Sequence, residues 1–172
     1  MNPLRIYDCL TQARQKLFDW TRPLNQDQYI QEFPFGLKTL RATLLEMAGA
    51  EWLYSRRLSG EPTPPRAEWP ISADRQPTFP ALEAAWTTQQ PGMRALIAGI
   101  TDWQRQREWP SLMSPPGKRV TFSATLSDMV TQLLLHEVHH RAQAMAMLRQ
   151  LGVEAQNLDY SIFMFTRREQ PA

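Results

Sequence analysis

Four stretches of this chain repeat their apolar residues every three or four positions, and prolines or glycines close off most of them. That period is the pitch of an α-helix with one buried face, and a chain dominated by it cannot be mainly sheet. Residues 3–21 carry Leu4, Tyr7, Leu10, Ala13, Leu17 and Trp20 at this spacing, and Pro23 ends the run. The segment 24–35 is polar with isolated aromatics, and Pro34 and Gly36 punctuate the approach to the next helix. A second helix of about six turns is predicted from Leu37 to Leu58, on Leu40, Leu44, Met47, Tyr54 and Leu58. Gly60, the run EPTPPRAEWP, Pro77 and Pro80 make 60–80 a loop, because proline cannot continue a helix.

A third helix is predicted from Phe79 to Thr101, with Leu82, Trp86, Met93, Leu96 and Ile97 inward and a kink threatened at Pro91-Gly92. Residues 105–123 alternate weakly about a Pro-Pro-Gly-Lys turn, the pattern of a short hairpin or paired extended segments. The fourth helix, Thr125 to Leu151, is stopped by Gly152 at its C′ position. After a short loop, the apolar tail 160–165 forms a short helix or strand. Four amphipathic helices of this length predict an all-α fold, a four-helix bundle, and a length of 172 residues fits a single domain over 1–172.

Charge and composition narrow the function. The formal net charge is only +2 and the arginines are scattered, so nucleic-acid binding has little electrostatic support. No apolar run approaches the length of a membrane span, and MNPLRIYDCL lacks the basic and apolar regions of a signal peptide. The single cysteine, Cys9, excludes an internal disulfide and suits a reducing cytoplasm; within the first helical pattern it reads as a small core residue. Leu135, Val138, Ala142, Met145 and Ala146 make a second apolar face on the last helix, to be covered by the C-terminal tail or, in the preferred reading, by a second subunit in a homodimer.

The chemistry concentrates in QLLLHEVHHRAQAMAMLRQL, residues 132–151, which holds all three histidines. Advancing about 100° per residue from His136 brings Met129, Leu133, His140, Met147 and Leu151 within roughly 60° of it. Two imidazoles one turn apart on the buried face can share a metal ion. His139 falls to the other side, whereas Gln143 returns to the same face and can hydrogen-bond to a ligand. A third ligand should be a carboxylate on a facing helix. Of the two acids in the second helix, Glu46 lies near the edge of the apolar stripe and Glu51 on its far side; an edge glutamate is by default a solvated one.

TLLEMAGAEWLYSRRL together with HEVHHRAQ resembles the DinB/YfiT-like family of metalloenzymes, and the resemblance extends through the hairpin and the LDYSIFMF tail. It implies an antiparallel four-helix bundle, often dimeric, with one histidine on the second helix and H-x3-H-R-x-Q on the last long helix. His136 and His140 match the two ligands of that last helix. Glu46 stands where the family usually has histidine, which implies either a two-histidine, one-carboxylate site or a site that has lost its metal. Arg141 and Gln143 become supporting residues around the site, Arg141 pairing with Glu137 or with Glu51. Relatives of this kind imply a bound zinc, nickel, iron or manganese ion, a small-molecule or thiol substrate, and hydrolase or thiol-dependent transferase chemistry. The alternative is a non-catalytic, stress-related dimer with a structural or lost metal site.

The same residues spell H-E-x-x-H, in which Glu137 would be the general base of a zinc peptidase. No sheet precedes the helix to align a peptide, so this is the weaker reading. Glu137 also falls inside the apolar stripe, where an ion pair with Arg141 is the simpler expectation.

Overall fold

The computed structural model describes residues 2–112, 114–166 and 168. It is mostly helical: α1 (Pro3–Thr21), α2 (Gln26–Ile30), α3 (Leu40–Ser59), α4 (Phe79–Ala98), α5 (Leu126–Gln150) and α6 (Tyr160–Met164). Between α4 and α5, β1 (Gln106–Pro110) and β2 (Thr121–Thr125) pair antiparallel, with Trp109 opposite Phe122, which is the expected hairpin. Among the four long helices, α1 packs on α4 and α5, and α3 packs on α4 and α5. No helix among the described residues is long and apolar enough to cross a membrane.

The helix boundaries follow local chemistry that the apolar period does not carry. Asn25 and Gln28 form a reciprocal capping box that starts α2 inside the segment read as irregular, and Tyr29 anchors that turn in the core. α3 begins at Leu40 rather than Leu37, because Gly36 and Lys38 take left-handed backbone conformations and Thr39 supplies the N-cap. Pro91 is accommodated inside α4, which runs on to Ala98 and ends there, short of Thr101. Thr125 and Asp128 cap α5 reciprocally at its start. At its other end the amides of Gly152 and Val153 bond back to the carbonyls of Arg149 and Leu148, so the left-handed glycine closes the helix as expected.

Residues 60–78 hold no helix beyond the single 3₁₀ turn Arg66–Glu68, whereas Pro80, read as part of the loop, sits in the first turn of α4, where its missing N–H costs no helical bond; the loop is nevertheless anchored. Trp69 and Ile71 are buried, and Gln76 accepts from the Ser72 amide and donates to the Pro70 carbonyl. The C-terminal α6 lies on α1, where Arg5 donates to the Met164 carbonyl. It leaves part of the outer face of α5 open, with Leu135 61% exposed and Val138 41% exposed, whereas Met145, expected on that face, is buried in the core.

The buried apolar residues form two clusters. One gathers Phe18, Tyr29, Leu44, Phe79, Trp86 and Met147, with edge-to-face contacts linking Phe18 to Phe79 and Trp86. The other gathers Leu10, Met93, Ile97, Met129 and Leu133 around Tyr7. Arg14, only 1% exposed, touches both, lying 4.2 Å over the Trp86 ring and 6.0 Å from that of Tyr7. Its Nη2 donates to Glu51 Oε2 and Glu137 Oε2 at 2.6 Å each, and its Nε donates to Glu137 Oε1 at 3.1 Å. Tyr7 donates its hydroxyl to Glu51 Oε2, and Gln89 donates to Glu51 Oε1. Burial alone would lower the Arg14 pKa, but Glu137 and Glu51 outweigh it and drive it upward, so the guanidinium stays charged.

This network corrects two sequence expectations. Glu137 pairs with Arg14 of α1, not with Arg141. Glu51, placed on the far side of the apolar stripe, is buried within it: about 100° per residue puts it roughly 20° from Leu40 and Leu58, both buried. Cys9 is buried, as expected of a core residue. Replacing Arg14 with Met should cost about 3–5 kcal/mol, because it strands two buried carboxylates. The combined Arg14→Met, Glu51→Gln, Glu137→Gln protein should recover part of that loss, as read by urea unfolding. A single Arg14→Met protein as stable as the wild type would contradict the network.

Candidate metal centre

The site residues lie on α3 and α5, which pack directly on each other. On α5 the predicted buried face is the observed one: Met129, Leu133, His140 and Met147 are buried and His136 is partly so. The His136 and His140 rings meet edge to face with centroids 4.4 Å apart, and His136 Nε2 lies 3.8 Å from Glu46 Oε1. Glu46 Oε2 lies 3.8 Å from Arg66 of the loop. His136 therefore lies beside both Glu46 and His140. Among the described residues, though, no three His, Cys, Asp or Glu side chains stand as a group that could hold a metal ion.

Gln143 sets the state of the histidines. Its Oε1 is 2.9 Å from His140 Nδ1 and its Nε2 is 2.9 Å from His139 Nε2. With the amide in this orientation, His140 donates from Nδ1 and keeps a lone pair on Nε2, while the amide N–H donates to His139. His139 is exposed, off the buried face, as its helical angle required. His136 Nδ1 is buried with no hydrogen-bond partner. Burial first, and then the neighbouring His140, lower the His136 pKa, with Glu46 opposing and His139 adding to the fall. Its neutral, lone-pair form is therefore favoured.

Glu137 and Arg141 sit elsewhere. Both Glu137 oxygens accept from Arg14, so the carboxylate proposed as a base is committed to the ion network. Arg141 forms no ion pair among the described residues; its Nη1 is buried without a partner, and burial lowers its pKa against the pull of Glu137. The only described sheet is the β1–β2 hairpin, so the peptidase reading gains no substrate-aligning strand beyond it.

Gly36 is a site residue that the apolar pattern could not reveal. Its φ of +56° is left-handed, and a Cβ there would lie 3.0 Å from Gln143 Oε1. The turn before α3 thus presses backbone against the amide that orients His140. Its only sequence signal is the Pro34-Phe35-Gly36 turn.

The DinB family model matches residues 1–171, essentially the whole chain, and the protein belongs to that family. A comparison with curated proteins found no match.

Gly36→Ala should displace the Gln143 amide and release His140 Nδ1. The imidazole ¹⁵N shifts should then move from the fixed Nδ1–H tautomer toward a mixture; unchanged shifts would refute the contact. A second outcome concerns pH. Below the ordinary value of 6.5, the unfolded chain takes up a proton that folded His136 resists, so this residue's contribution lowers stability as pH falls. Urea midpoints of the metal-free protein at two pH values bracketing 6.5 should fall less in His136→Gln than in the wild type.

Proposed function

We propose that Glu46, His136 and His140 bind one divalent transition metal, zinc, nickel, iron or manganese, and that the protein is a metal-dependent hydrolase or thiol-dependent transferase on a single-domain four-helix bundle. The observation that carries this reading is the state of the two histidines. His140 has Nδ1 held 2.9 Å from Gln143 Oε1, which leaves Nε2 as the nitrogen to offer a metal, the arrangement by which a protein aims an imidazole at one. His136 is held neutral, and its Nε2 faces Glu46 at 3.8 Å, too far for a hydrogen bond. Two donors about 2.1 Å from one tetrahedral zinc stand about 3.4 Å apart, so the gap must shorten by a few tenths of an ångström for the two to share a cation. Small turns of Glu46 and the rings would close the set.

A metal bound there would supply a Lewis acid able to draw a proton from water or a thiol near neutral pH. The chain's own groups do the rest. Gln143 fixes the His140 tautomer, and burial keeps His136 unprotonated. Arg14 keeps the neighbouring Glu137 out of the ligand set. The open apolar face of α5 at Leu135 and Val138 supports the further reading that two copies pair through it.

Elemental mass spectrometry on protein purified without a histidine tag tests the metal reading. About one equivalent of a transition metal per chain is expected, with most of it lost in each of Glu46→Ala, His136→Ala and His140→Ala and retained in His139→Ala. No metal in the wild type after reconstitution would overturn it.

A further inference from the structure

A pocket of about 390 Å³ opens beside Glu46, between α3 and the anchored 60–80 loop. Leu45 and Gly49 of α3 face Trp69 and Ile71 of the loop, and Glu46 and Arg66 stand in the same lining. The volume suits a small molecule. Its loop wall is held: Trp69 is buried, donates its indole N–H to the Pro64 carbonyl, and has its ring 5.1 Å from that of Trp52. Arg41 also ties the loop to α3 by donating to the Ala73 carbonyl.

Two features give the pocket a chemical preference. Gly49 forms the floor, where even a Cβ would already stand in contact with Ile71 and Trp69 at 3.9 Å, so a longer side chain would crowd both and fill the pocket. Arg66 is the cation of the lining, its guanidinium 5.0 Å over the Trp69 ring. Its contact with Glu46, at 3.8 Å, is beyond hydrogen-bond length and its side chain is 76% exposed, so a ligand anion can take it over at little cost.

We infer that this pocket binds a small organic anion with a flat apolar body, the body between Leu45, Trp69 and Ile71 and the anionic group on Arg66. The inference rests on the metal reading above in one respect: a ligand seated here lies against Glu46, and so beside the proposed centre. Arg66 is then a specificity residue and Gly49 sets how much of the ligand enters. Engagement of Glu46 by a metal would also free Arg66 from that carboxylate.

Calorimetric titration with 2-naphthoate and its neutral analogue 2-naphthamide tests this, on protein with and without added zinc, with zinc content measured on the same samples. The naphthoate should bind about tenfold more tightly than the amide, the discrimination expected of one charge-assisted hydrogen bond. Arg66→Gln should bring the two ligands within about twofold of each other, and Gly49→Leu should abolish binding of both with its circular dichroism unchanged. If Gly49→Leu loses helical signal, Arg66→Gln decides alone, because that side chain is exposed. Absence of saturable naphthoate binding with or without zinc, or a preference that survives in Arg66→Gln, would overturn the inference. Naphthoate binding with these dependences in protein that takes up no zinc would sustain the pocket and remove the metal reading. Zinc binding without naphthoate binding would do the reverse.

Discussion

The guanidinium of Arg14 ties the four long helices together. It comes from α1, bonds Glu51 of α3 and Glu137 of α5, and lies on Trp86 of α4. Charges so deeply buried are tolerable only when paired, and the pairing has a narrow geometry. Each partner must therefore arrive at the right height along its own helix. Glu51 lies one turn and a half beyond Glu46, about 7.5 Å at 1.5 Å per residue, and Glu137 immediately follows His136. Fixing those two carboxylates on one cation sets the register of α3 against α5, and with it the approach of Glu46 to the histidines.

Around this constraint, the two apolar clusters supply most of the burial and the ion network supplies the alignment. A buried ion network is not by itself a source of stability, since well-packed apolar groups can do as well. Its value here is specificity. A slip of one turn in α5 would strand Glu137 and leave Arg14 with Glu51 alone, whereas an all-apolar interface would penalise it less. The site also gains a division of labour between adjacent residues: Glu137 is taken by Arg14, while His136 and His140, on the same helix, remain uncommitted toward Glu46.

The long helices and the hairpin could be read from the amino-acid order, because period, proline and glycine are local signals. α2 could not, since its five residues rest on a capping box and one buried tyrosine, too short for any period. Helical angle and likeness to the family single out Glu46, His136, His140 and Gln143; His136 lies beside both Glu46 and His140, and Gln143 bonds His140. Glu51 was legible too: at about 100° per residue it falls roughly 20° from Leu40 and Leu58, inside the apolar stripe and not on its far side, and it is buried there with them. The partner of Glu137 lay 123 positions away in sequence, at Arg14, and nothing local announces such a contact. A hint was nevertheless present: Arg14 stands between Leu10 and Leu17 in an apolar stripe, and a charge there requires an opposite charge elsewhere.

The most direct test of the account is X-ray absorption spectroscopy of the zinc-reconstituted protein, beside its His139→Ala variant. The arrangement of α3 and α5 predicts a first shell of nitrogen and oxygen with the multiple-scattering signature of two imidazoles, identical in both proteins. A three-imidazole signature that drops to two in the variant would mean that His139 replaces Glu46, and would contradict the ligand set on which the functional reading stands.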